Sequence, residues 1–251
     1  MKKERLKQME EYLNEHEICS LNDLCGAFNM SMVTIRRDVD ELRKAGIIEK
    51  IYGGVKRIDK NIPPTLPYIQ RNVRNVKEKD YIGQLAASII SAEDCVFIDS
   101  GTTTPYLIKH VKDEPINIAT SSFNVIEECR CRENINIIAL GGEFYRLTNS
   151  FVGDGAVRAF SSYNISKAFM AATGASIEYG FTNSTSAESN LKAEAIARCR
   201  ESYVMIDHDK WGVVSLKTFA RLTDVTGVIT DRRPPAKYVK FFNAKGIKLL
   251  Y

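Results

Sequence analysis

Six consecutive residues, Asp99-Ser100-Gly101-Thr102-Thr103-Thr104, follow a short apolar run and precede Pro105. A carboxylate, four hydroxyls and a glycine in one loop, with proline ready for the first helical position, bring backbone N–H groups and hydroxyls to a helix N-terminus. Such a place favours an anion, phosphate above all. The same residues also suit an ordinary helix start with Thr104 as N-cap, and the two readings are compatible. More polar groups end other apolar runs: Thr120-Ser121-Ser122, Gly141-Gly142-Glu143 and Asp207-His208-Asp209-Lys210-Trp211-Gly212. Lys210 supplies a charge for a phosphate or a sugar carboxylate, or else counters Asp207 and Asp209 on the surface. Glu188 and Lys192, four apart, read by themselves as a solvated helix pair. Neither nucleotide-binding fingerprint fits: there is no G-x-x-x-x-G-K-[ST], and Gly153-Asp154-Gly155 lacks its third glycine because Arg158 stands there.

A second chemistry lies near the N-terminus. Ser31 is placed to cap a helix whose Ile35, Val39 and Leu42 form one apolar stripe, leaving Val33, Arg37 and Lys44 opposite it and Met32, Arg36 and Arg43 beside it. Leu6, Met9 and Leu13 mark a helix upstream. A short second helix with Leu21, Leu24, Cys25 and Phe28 breaks at Asn29 and Met30, the turn a helix-turn-helix requires. Ile47 to Tyr52, then Gly53-Gly54 and Val55 to Arg57, read as a hairpin, which in that position is a wing. The helix end carrying Ser31, Met32, Val33, Thr34, Arg36 and Arg37 is the part inserted into the major groove, and Lys56 joins it from the wing. Residues 31–60 hold eight Lys or Arg against five acids, a modest excess of the sign that phosphate contacts need. A three-helix bundle with a hairpin also serves as a protein-interaction or dimerisation module without DNA affinity.

These groups need scaffolds. At 251 residues the chain accommodates one small and one medium domain, and 26% charged with 44% hydrophobic residues excludes disordered and fibrous classes. A net charge of +4 says little about partners. No apolar run reaches the roughly 18 residues of a spanning helix, and Met1-Lys2-Lys3-Glu4 leads directly into an amphipathic helix, so a cytoplasmic protein without membrane partners is expected. Six cysteines and three histidines show neither C-x-x-C nor metal-ligand spacing; reduced, mostly buried thiols and no metal or cofactor are expected. Residues 59–70 hold three of the seven prolines and read as a linker or strap. Ile82, Leu85, Ala86 and Ile89 then mark a helix. From residue 95 onward, seven short continuous apolar runs (95–98, 116–119, 135–140, 168–172, 203–206, 225–229 and 247–250) are separated in several places by helical patterns. Continuous apolarity implies strands covered on both faces, hence a mostly parallel α/β sheet whose ligands sit at the carboxyl ends of its strands.

The pattern Ser31, Thr34, Ile35, Arg36, Arg37, Asp38, with Leu42, Gly46 and Tyr52-Gly53-Gly54, resembles the N-terminal domain of the DeoR family of bacterial transcription regulators. D-S-G-T-T at 99–103, Gly141-Gly142, Ser150-Phe151-Val152-Gly153, Gly180-x-Thr182 with Glu188 and Lys192, Asp207-x-x-Lys210-x-Gly212 and Thr230-Asp231 resemble its sensor domain, extending the likeness to the whole chain. The resemblance implies a winged helix-turn-helix at 1–58, a linker at 59–74, and a Rossmann-like, isomerase-like sugar-phosphate sensor at 75–251. It implies a double-stranded DNA operator, a phosphorylated sugar or related effector, and a homodimer or homotetramer. It gathers Asp99, Ser100, Gly101, Thr102, Thr103, Thr104, Thr120, Ser121, Ser122, Gly141, Gly142, Glu188, Lys192, Asp207 and Lys210 around the effector. Asp209 departs from the Ser or Thr common there and would repel a phosphate; Asn190, often Glu in relatives, is a smaller departure. The stretches Tyr163 to Gly174 and Thr182-Asn183-Ser184 look nearest to regulators of inositol catabolism. A non-catalytic carbohydrate-operon repressor released by its effector is therefore expected. The alternative is a sugar-phosphate isomerase using Asp99, Asp207 and Lys210 as acid–base groups, an enzyme with no use for residues 1–58.

Overall fold

The computed structural model describes residues 2–16, 18–44, 47–51, 54–57 and 66–251. The chain divides into two compact units, Met1–Pro64 and Thr65–Tyr251. The first runs α1 (Lys2–Glu15), β1 (Ile18–Ser20), α2 (Leu21–Phe28), α3 (Met32–Lys44), β2 (Ile48–Ile51) and β3 (Gly54–Arg57). Ser20 and Asp23 form a reciprocal capping box at the start of α2, and Asn29 ends it with a left-handed φ of 49°. Met9, Leu13, Leu24, Ile35, Val39 and Leu42 from the three helices close one core with Ile48 and Val55 of the hairpin. Strand β1, too short to show in the sequence, pairs with β3 through Cys19 and Val55. The wing turn at Tyr52-Gly53, Gly46, and residues 59–65 of the expected linker lie outside the described residues.

The second unit runs α4 (Tyr68–Asn72), α5 (Val76–Ala87), β4 (Cys95–Ile98), α6 (Pro105–His110), β5 (Ile116–Thr120), α7 (Phe123–Cys129), β6 (Ile135–Ala139), β7 (Glu143–Tyr145), β8 (Ser150–Val152), α8 (Asp154–Ser161), β9 (Lys167–Ala171), β10 (Gly174–Ser176), β11 (Gly180–Asn183), α9 (Ser186–Arg198), β12 (Glu201–Met205), β13 (Lys217–Ala220), β14 (Gly227–Ile229), α10 (Ala236–Lys245) and β15 (Lys248–Leu250). Residues 66–74, read from the sequence as part of the linker, fold onto this unit instead: Tyr68 is buried, its N–H donates to the Leu147 carbonyl at 2.9 Å, and Lys79 Nζ donates to the Arg71 carbonyl at 2.6 Å.

The seven apolar runs of the sequence form one parallel sheet in the order β15-β14-β12-β9-β4-β5-β6. Val96 and Ile98 enter a core with α5, α6 and α7, while Phe97 between them enters another with α8 and α9. Both faces are covered, which is why the strands read as unbroken apolarity. A three-stranded antiparallel sheet, β10-β11-β13, and a β7-β8 hairpin stand apart from the main sheet. From β4 the chain proceeds to β5 and β6 on one side, then returns to place β9, β12, β14 and β15 on the other. The gap between the carboxyl ends of β4 and β9 is therefore the topological switch point, where open α/β sheets receive ligands.

All six cysteines are free, with Cys19 and Cys129 buried and Cys131 exposed. Among the described residues no helix is long and apolar enough to cross a membrane.

Candidate recognition helix and ligand site

Ser31 meets its expectation as a cap: its Oγ accepts from Thr34 N at 3.4 Å and pairs with the Thr34 hydroxyl at 3.1 Å. Ile35, Val39 and Leu42 are buried, and Val33, Arg36, Arg37 and Arg43 are exposed. Met32 and Thr34 are half-buried at the same end. Neither Arg36 nor Arg37 forms an ion pair among the described residues, so both guanidiniums remain available to an anionic surface. Asp38, by contrast, is fully buried and receives the Arg5 fork, Nε to Oδ2 at 2.6 Å and Nη2 to Oδ1 at 2.9 Å. This bidentate pair ties α1 to α3 and sets the helix against its core. The Lys56 side chain lies outside the described residues.

In the second unit the switch point is filled by a buried polar cluster. Lys192 reaches across from α9, pairing with Asp99 Oδ2 and donating to the Ala171 carbonyl at 2.6 Å. Asp99 Oδ2 also accepts from Ala171 N at 3.1 Å. One turn earlier, Glu188 accepts from Ser100 Oγ at 3.2 Å, Asn183 Nδ2 at 3.0 Å and Thr185 Oγ1 at 2.6 Å. Glu188 and Lys192 are thus not a solvated helix pair. Both are buried, on the face of α9 that carries Leu191 and Ala195, and each is satisfied by other elements. Gly101 is required by the approach of β9: a Cβ there would lie 2.2 Å from that of Ala171.

The loop 99–104 does not behave as an ordinary capping turn. The Thr104 hydroxyl turns back to the carbonyls of Asp99 and Gly101, at 2.5 and 2.9 Å, and makes no cap bond to α6. That helix has six residues, so its dipole is short and the expected anion at its N-terminus gains little from it. The hydroxyls of Thr102 and Thr103 have no protein partner among the described residues, although both residues are buried. Thr120 is committed to the Ile98 carbonyl at 2.5 Å, and Ser122 caps α7 through Val125 N at 3.3 Å; Ser121, between them, keeps its hydroxyl unpaired among the described residues. Gly141 and Gly142 are exposed beyond the edge strand β6. Gly142, with φ of 140°, is explained by the β7-β8 hairpin, since a Cβ would lie 2.5 Å from the Val152 carbonyl oxygen.

At the end of β12, a single 3-10 turn over His208–Lys210 is capped by Asp207, which accepts from Asp209 N at 3.1 Å. Lys210 Nζ lies 4.0 Å from Asp207 Oδ1 and is partly exposed. Asp209 turns its carboxylate to Asn75 Nδ2 at 2.8 Å and to His208 Nε2 at 3.4 Å, and the Asn75 hydrogen bond holds it below the usual carboxylate range. Asp231 accepts from His208 Nδ1 at 2.8 Å.

The residue sequence reasoning missed is Lys79. It is 3% exposed, forms no ion pair among the described residues, and has only the Arg71 carbonyl as partner. Burial lowers its ammonium to about 8; Asp207 pulls the other way, while Lys210, Arg71 and Arg74 push with burial. The signal was available, because Lys79 precedes Ile82 by three and Ala86 by seven and so lies on the apolar face of its helix. The Lys79 ammonium thus feels one carboxylate, Asp207, against three other cations, Lys210, Arg71 and Arg74.

A small helix-turn-helix unit with free arginines on its exposed helix, in one chain with an α/β unit that has a buried polar edge, is the layout of a DNA-binding regulator. The comparisons agree. The model of the DeoR-like helix-turn-helix domain matches residues 5–61, and that of the DeoR C terminal sensor domain matches residues 74–232. The chain belongs to the DeoR family of transcription regulators. It is 37% identical to the HTH-type transcriptional regulator IolR of Bacillus subtilis, over 97% of this chain and 96% of that one. It is 28% identical to the HTH-type transcriptional repressor GlcR of the same organism, over 98% and 95%, and 28% identical to the lactose phosphotransferase system repressor of Staphylococcus aureus, over 92% of each. Among solved structures, ribose 5-phosphate isomerase A of Methanocaldococcus jannaschii overlaps with a TM-score of 0.41 at 13% identity, covering 55% of each chain. The family and its relatives are DNA-binding regulators of transcription, and the isomerase alternative is set aside.

Proposed function

We propose that this chain represses a carbohydrate-catabolism operon and is released from its operator by a phosphorylated sugar or polyol bound at the carboxyl edge of the sensor sheet. The observation that carries this reading is the buried Lys79 ammonium there, which forms no ion pair among the described residues. A buried ammonium without a carboxylate partner is costly, and a phosphate ester bound beside Lys79 and Lys210 supplies the missing charge. Thr102, Thr103 and Ser121 offer free hydroxyls for the rest of the ligand, and Asp99, Ser100, Glu188 and Lys192 hold the crevice in shape. The inositol-catabolism likeness and the identity with IolR make a phosphorylated product of a cyclic polyol the first effector to test.

Release requires the effector to bind one state of the protein better than the other, and a hundredfold release needs about 3 kcal/mol of coupling. The test is an operator-binding titration, by fluorescence anisotropy, against a panel of sugar and polyol phosphates. Lys210→Ala is expected to keep wild-type operator affinity and to need at least tenfold more effector for release, since a charge-assisted contact is worth ~1.5–3 kcal/mol. Thr103→Val is expected to shift the same way by less. Release of Lys210→Ala at the wild-type concentration would place the phosphate elsewhere.

A further inference from the structure

Val33 is 71% exposed, the most exposed large apolar side chain among the described residues of the first unit. Neither local preference nor packing accounts for it. A β-branched residue is a below-average helix former and gains nothing from standing in water. The core stripe of Ile35, Val39 and Leu42 is complete without it. Its position is informative: the second residue of α3, one turn before Arg36 and Arg37, at the end of the helix that meets base edges in the major groove.

The major groove presents one apolar group to a protein, the C5-methyl of thymine. We propose that Val33 reads thymine, its isopropyl group packing on the C5-methyl of one thymine in the sequence bound by each recognition helix. Arg36 and Arg37 lie three and four residues further along the same exposed face and carry no ion pair among the described residues. That charge points to a polyanion as the surface covering Val33, since an apolar protein surface would leave two guanidiniums unmatched. Within the groove, Val33 supplies selectivity for one base and the arginines supply attraction. Asp38, buried and held by the Arg5 fork, ties the helix that carries Val33 to α1.

The test uses the full chain and a duplex recovered by selection from a random pool. That duplex is resynthesised with each thymine in turn replaced by deoxyuridine, which deletes the C5-methyl and leaves every hydrogen-bonding edge intact. Wild type is expected to lose about fourfold in affinity at one position per recognition helix, the worth of one buried methyl. Val33→Ala is expected to unfold at the wild-type temperature, to bind the unsubstituted duplex several-fold more weakly, and to be indifferent to uridine at that position while responding as wild type at the others. Val33→Thr, which keeps one methyl, is expected to retain part of the discrimination, and it carries the comparison if Val33→Ala binds too weakly to titrate. The proposal is overturned if no uridine weakens the wild-type complex, or if the variants reproduce the wild-type uridine profile.

Discussion

Lys79 is charged at neutral pH although buried, because burial lowers its ammonium only to about 8. In the unfolded chain the same group titrates near its ordinary 10.5. Between these values the unfolded state holds more protons than the folded one, so the stability of the ligand-free sensor rises with pH from about 8 to 10.5. Thermal melts across that range are expected to show the rise in wild type and a flatter profile in Lys79→Met. A bound phosphate favours the charged ammonium, so effector affinity is expected to fall as pH climbs through about 8 and binding there to take up protons. Calorimetry at alkaline pH in two buffers of different ionisation enthalpy reads that uptake directly. The Asp99–Lys192 pair behaves differently. Both partners are 2% exposed or less, so Lys192→Met strands a carboxylate and is expected to cost about 3–5 kcal/mol in urea unfolding. An unchanged midpoint would mean that Asp99 is not held as the structure shows.

At the scale of elements, the recognition helix separates two arginine-linked roles cleanly. Arg37→Ala removes an exposed, unpaired guanidinium and is expected to weaken operator binding by about 1–3 kcal/mol while leaving thermal unfolding unchanged. Asp38→Ala strands the Arg5 guanidinium against the core and is expected to lower stability and DNA affinity together. Unequal responses of the two variants in a paired melting and anisotropy experiment test that division. Which elements the sequence revealed follows from their period and length. The parallel strands were legible because each is a continuous apolar run, and α3 because its stripe is regular. The strands β10, β11 and β13 were not, since Gly174-Ala175-Ser176 and Gly180 to Asn183 are short, glycine-started and polar, and their burial comes from tertiary packing. The helix α8 went unread for a similar reason: Asp154 and Gly155 begin it, and its buried face has only Ala156 and Phe160. Lys79 was hidden among Lys77, Glu78 and Asp80, a run that looks solvated unless each position is assigned to a face.

For the whole molecule, the proposed regulation is a coupling between two compact units, and coupling is reciprocal. If effector weakens operator binding a hundredfold, operator must weaken effector binding a hundredfold. Titrating the effector with and without saturating operator duplex measures this, and equal affinities would exclude an allosteric release. Operator affinity is also expected to fall with salt, by roughly 0.9 in log K per neutralised phosphate. The gross plan of two domains was legible in the proline-rich stretch and in the change from one period to another. The burial of Lys79 against the Arg71 carbonyl and the direct pairing of Lys192 with Asp99 were not, because both join segments that only the tertiary fold brings together.

The return of the chain to place β9 beside β4 has a consequence in time. The unit that carries α3 is complete at residue 64, whereas the sensor crevice needs β9, α9 and Lys210. At ordinary rates of synthesis, roughly 5–20 residues per second, the DNA-binding unit precedes the crevice by on the order of ten to thirty seconds. If release depends on that crevice as proposed, each newly made molecule passes through a deaf interval in which its DNA-binding unit is complete and its effector site is not yet assembled.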